Sequence, residues 1–85
     1  MGKGEKRLAQ MRHNPQDDWQ IADIEVVCRA HDIVLDPPSG GGSHYSVYHP
    51  NGGIQTIPAH RKIKSRYIKE FVRFVDKVTG EENDR

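Results

Sequence analysis

Between residues 40 and 53 the chain reads Gly-Gly-Gly-Ser-His-Tyr-Ser-Val-Tyr-His-Pro-Asn-Gly-Gly, which sets His44 directly behind a run of residues with almost no side chain. Histidine, with an ordinary pKa of about 6.5, can both take and give a proton near neutral pH. Three glycines and a serine let another backbone come close, as a phosphodiester must if it is to be handled. A histidine opening onto a strand therefore marks a candidate active site on a surface that receives a polyanion. A metal cage built from His44, His49 and His60 is a poor alternative. Residues five apart on a strand face opposite ways, and no carboxylate lies nearby in sequence. Neither a metal nor a cofactor is expected. His13 and His31 are read as ordinary surface or structural histidines.

The charges are segregated beneath a net value of +1. Residues 1–12 carry Lys3, Lys6, Arg7 and Arg12 against Glu5, a local +3. Residues 13–36 hold six acids against Arg29, a local −5. Residues 60–77 set seven basic side chains against Glu70 and Asp76, a local +5 just downstream of the His44 segment. Such a block suggests an electrostatic footprint for nucleic acid on one side of the molecule. The plainer reading, a solvated helix face, is about as common for one such block taken alone.

Elements must position these groups, and 85 residues allow one small domain with a thin core. Residues 1–15 show no apolar periodicity and are expected to form a flexible basic arm, with Met11 as a possible second start. Ile21, Ile24, Val27 and Cys28 recur at helical spacing within 18–31, with Asp17, Asp18 and Asp23 near the helix's positive end and Trp19 packing back as a staple. Ile33-Val34-Leu35, ended by Asp36-Pro37-Pro38, is a short strand. Residues 45–49 form a second, whose alternation turns Tyr45 and Val47 to one face and His44, Ser46 and Tyr48 to the other. Asn51-Gly52 signals a tight primed turn, with positive φ at both central residues, into a third strand at 54–58. After a basic loop, Ile68, Phe71, Val72, Val75 and Val78 mark a long amphipathic helix from Ser65 to near Gly80, widened by Tyr67 and Phe74. The expected class is α+β: a single α-β-β-β-α domain over 16–80, a three-stranded antiparallel sheet with two helices on one face, and a disordered tail at 81–85.

No apolar run approaches the roughly 18 residues of a membrane span, and the basic start is not followed by a signal-peptide core. A cytoplasmic location without membrane partners is expected. Cys28, the only cysteine, excludes an internal disulfide and a cysteine-based metal cage.

Gly42-Ser43-His44 entering the second strand, His49-Pro50 before a glycine turn, Thr56-Ile57-Pro58 closing the third strand and Lys62-Ile63-Lys64 leading into the last helix together resemble the HicA family of toxins from bacterial type II toxin–antitoxin systems. The resemblance runs from about residue 21 to 78. It implies a fold similar to a double-stranded-RNA-binding domain, mRNA cleavage as the activity and a HicB-like antitoxin as the protein partner. By the matching Gly-Ser-His it carries the family's catalytic histidine onto His44, with Gly42 and Ser43 as flanking backbone. The chain departs from the family pattern at Asp32, where many members have glycine, and in the long loop at 37–41.

On that footing the expected chemistry is metal-independent cleavage of mRNA. Neutral His44 removes the proton from a ribose 2′-OH, whose oxygen attacks the adjacent phosphate. Lys62 and Lys64 offset phosphate charge, with Arg66 beside them. Gly42 and Ser43 offer backbone N–H groups, Ser46 and Tyr48 orient the substrate from the same face, and His60 is a possible general acid. Acid–base help of this kind contributes roughly 10²–10⁴-fold, so such an enzyme is slow. Two other classes are weighed against it. One is a non-catalytic RNA-binding module of the same fold, which needs no histidine. The other is a protein-interaction domain that uses residues 60–77 on an acidic partner.

Overall fold

The computed structural model describes residues 2–40 and 42–80. Gly41 and the expected tail at 81–85 lie outside the described residues. The order is α1 (Lys3–His13), α2 (Ile21–Ala30), β1 (Val34–Asp36), β2 (His44–His49), β3 (Gly53–Pro58) and α3 (Ser65–Thr79). The three antiparallel strands follow one another in the sheet, with β2 central. The α+β class and the single sheet agree with the sequence.

The first correction is α1. Residues 3–13 form a helix packed on α2 and α3, not a free arm. Gly4, Leu8 and Met11 are buried at i, i+4 and i+7, so one narrow stripe holds the helix down. At Gly4 a Cβ would lie 2.2 Å from the Ala30 Cβ, so only glycine lets α1 approach α2 this closely. Two of the four basic side chains in the segment are spent on other elements. Arg7 pairs with Asp23, and Arg12 grips Asp76 with two bonds of 2.9 and 2.8 Å. The ten residues before Met11 carry Gly4, Leu8 and the Arg7 contact.

Helix α2 starts later than the periodicity suggests because residues 14–19 fold back on themselves. The Trp19 indole N–H donates to the Asn14 carbonyl at 2.8 Å, and the Gln20 N–H donates to the Asp23 carboxylate at 2.9 Å. Of the three acids near this end, Asp23 is the one that caps it. Asp32, just past the helix, sits at φ 56°, the left-handed region where glycine is most at ease.

Strand alternation falls as expected. Val47 and Ile57 are fully buried against the helices, while Val34, Tyr48 and Ile54 stay exposed on the opposite side. The hairpin turn does not. Pro50 and Asn51 are its central residues, and the Gly52 N–H donates to the His49 carbonyl at 2.9 Å. Proline favours negative φ at the first central position, so Asn51 and Gly52 do not adopt the primed geometry. Gly53, at φ 84°, takes the left-handed step instead.

Helix α3 buries Ile68, Phe71, Val72, Phe74 and Val75 and ends on Gly80 at φ 77°. It lies along β3, α2 lies along β1, and α1 closes the layer behind them. All the helical mass is on one side of the sheet, leaving its other face open.

Candidate nucleic-acid interface

His44 begins β2 opposite Pro58 of β3, and one residue further out the Ala59 N–H donates to the Ser43 carbonyl at 2.8 Å. The ladder thus clamps the backbone on both sides of the histidine. His44 itself is exposed on the open face, with half-buried Ser46 and exposed Tyr48 behind it on the same side. Gly42 is exposed and Ser43 half-buried. His44, Ser46 and Tyr48 share this face as the alternation predicts, and Gly42 and Ser43 adjoin it in the chain. Among the described residues no side chain hydrogen-bonds His44.

The loop after β3 is held from outside the sheet. Ile63 is fully buried, and its N–H donates to the Trp19 carbonyl at 2.8 Å. Burying the middle residue throws Lys62 and Lys64 outward on either side of it. With Gln16, Ser65 and Arg66 they line a groove of about 550 Å³. Arg66 is steadied over the Tyr67 ring, 5.0 Å from its centroid. Lys64 is the N-cap of α3, but no side chain caps this end and its first turn carries no acid. The Tyr67 N–H donates to the Lys64 carbonyl at 3.0 Å, so among the described residues the Ser65 and Arg66 N–H groups are the ones left open at this end, and with three basic side chains lining the groove the arrangement favours an anion.

Lys62 is four positions beyond Pro58, the cross-strand partner of His44, so at most about 14 Å of chain runs from that partner to the groove. His60 lies on this link and is exposed. His49 faces the helix side, half-buried, and its Nδ1 accepts the Asn51 N–H at 3.0 Å. Among the described residues no three His, Cys, Asp or Glu side chains cluster as metal ligands would. His31 donates from Nδ1 to the Val27 carbonyl at 3.0 Å and serves the end of α2.

Sequence reasoning missed two parts of this surface. Gln16 joins the lysines only through the Trp19–Ile63 link, which no local pattern announces. Val34 and Ile54 flank Tyr48 in one row across the sheet, which depends on strand register. No protein-family model, curated protein or solved structure matches the chain.

Proposed function

We propose that the protein is an endoribonuclease of the kind the HicA resemblance implies: a metal-independent toxin that cuts mRNA and so inhibits translation and growth. The observation that carries the reading is the pairing of an exposed, ladder-clamped His44 with a basic groove one short link away. His44 takes the proton of a ribose 2′-OH, and the 2′-oxygen bonds to phosphorus. The bond from phosphorus to the 5′-oxygen breaks, and that oxygen leaves with a proton from His60 or water. The products are a 2′,3′-cyclic phosphate and a 5′-OH. Lys62, Lys64 and Arg66 hold the phosphates through charge and through the open end of α3.

The test is His44→Ala. Cleavage of a labelled RNA and growth inhibition are lost, while melting temperature and RNA affinity stay within error. Undiminished cleavage by the folded variant overturns the mechanism. A second reading, RNA binding without chemistry on a domain similar to double-stranded-RNA binders, draws support from the absence, among the described residues, of a side chain that hydrogen-bonds His44. It predicts that pure wild-type protein retains RNA and never shortens it.

The antitoxin in this reading is a small HicB-like protein that presents carboxylates to the same groove and excludes RNA by occupying it. A partner that still bound a Lys62→Glu/Lys64→Glu protein at full strength would argue against masking of this kind.

A further inference from the structure

The open face of the sheet is built in rows. Register sets Val34, Tyr48 and Ile54 side by side across all three strands, then Asp36, Ser46 and Thr56, then His44 beside Pro58. The first row is apolar and exposed: Val34 50%, Tyr48 43% and Ile54 69%. We infer that this face is a platform for unpaired bases, with Tyr48 as the stacking ring, so that the substrate class is single-stranded RNA. The inference rests on the RNA reading proposed above and specifies which RNA.

Three observations select this occupant. Among the described residues the basic groups next to this face lie at one end, beyond Pro58, while Asp36 stands within the second row. A phosphate laid across the middle would meet Asp36, whereas a base or ribose offers it N–H and O–H donors. The polarity thus suits bases over the sheet with phosphates at its basic end. Duplex RNA presents phosphates and 2′-OH groups outward and keeps its bases paired, so nothing in it stacks on Tyr48. A second copy of this chain is the poorer fit. Three partly exposed side chains offer no more than a few hundred Å², against about 800 Å² per partner in a standard interface.

The spacing adds a consequence for cleavage. His44 and Tyr48 lie four residues apart on one strand, about 13 Å. A stacked strand advances about 3.4 Å per nucleotide, and an extended one more. The base on Tyr48 therefore sits roughly two to four nucleotides from the bond that His44 attacks, and base preference arises there.

The experiment measures binding of a fluorescent 12-nucleotide RNA with 2′-O-methyl riboses, which has no 2′-OH to deprotonate, and of the same strand in a duplex. Full-length wild type is compared with Tyr48→Thr, which keeps strand propensity and removes the ring, and Tyr48→Phe, which keeps the ring. The single strand binds wild type at least tenfold tighter than the duplex. Tyr48→Thr weakens it by about 5- to 140-fold, the range that loss of one stacked base gives, and leaves the salt dependence unchanged. Tyr48→Phe restores binding to within about threefold. Tight single-strand binding that Tyr48→Thr does not alter overturns the platform and leaves the RNA reading standing. Equal or tighter binding of the duplex overturns it in the same way. No RNA binding by wild type overturns both. A dimer that dissociates on Tyr48→Thr assigns the face to a second copy and also overturns the platform.

Discussion

His44 and Cys28 are opposite cases of a reactive side chain in this fold. His44 stands in solvent at the end of a strand, and its chemistry is available to whatever reaches the open face. Cys28, on the buried face of α2, is 2% exposed, and burial, and after it the charge of Glu25, pushes its thiol up to about 12. Its neutral form belongs to the folded state. The resulting stabilisation is whole below the ordinary thiol pKa of about 8.5 and drains away as pH climbs toward 12. At pH 7.5 a thiol reagent therefore modifies native protein only through opening, and denaturant should speed the reaction by orders of magnitude. Fast stoichiometric labelling of the native protein would contradict the packing described. The exposed position of His44 at the mouth of the hairpin was legible because glycine, serine and histidine types carry their meaning locally. The Tyr48 row was half-legible: alternation gave its face, but Val34 and Ile54 join it only through register between strands.

At the scale of elements, α1 is the instructive miss. Its charged residues obscure a three-residue stripe, and Gly4, an unpromising helix residue, is there because α2 passes so close. Met11→Ala should cost about 2–5 kcal/mol of stability, the range for truncating a buried large side chain, measured by urea unfolding. A cost below about 0.5 kcal/mol would return the segment to the status of an arm. The hairpin was misread for a related reason: Pro50 overrides the Asn51-Gly52 signal by fixing the turn one residue earlier. Asp32 points the other way. Its φ of 56° explains why glycine suits that position and why a short polar residue can stand in. Helix α3 opens with Lys62, Lys64 and Arg66 at its positive end and no acid to offset them, an arrangement poor for stability and good for phosphate. Lys64→Asp should therefore stabilise the fold by about 0.5–2 kcal/mol, as a cap at that position does, while weakening RNA binding severalfold. A variant that gained stability and kept full affinity would remove Lys64 from the phosphate contacts.

For the molecule as a whole, the division of labour is between two faces of one sheet. Among the described residues the buried apolar side chains lie with the helices, so the opposite face owes little to stability and is free to serve function. The basic groove sits where the chain leaves that face for α3, and the Ala59–Ser43 backbone bond ties the junction to the sheet. Charge segregation in the sequence gave this asymmetry in outline. It overstated the N-terminal block, because Arg7 and Arg12 are committed to Asp23 and Asp76. In the proposed mechanism His44 drives attack by the 2′-oxygen of RNA. The direct measurement is mass spectrometry of fragment ends after incubating single-stranded RNA with wild type and His44→Ala in excess chelator. Fragments ending in 2′,3′-cyclic phosphate with wild type, and intact RNA with the variant, are the predicted result. Fragments ending in 3′-OH, or the same fragments from both proteins, would contradict it.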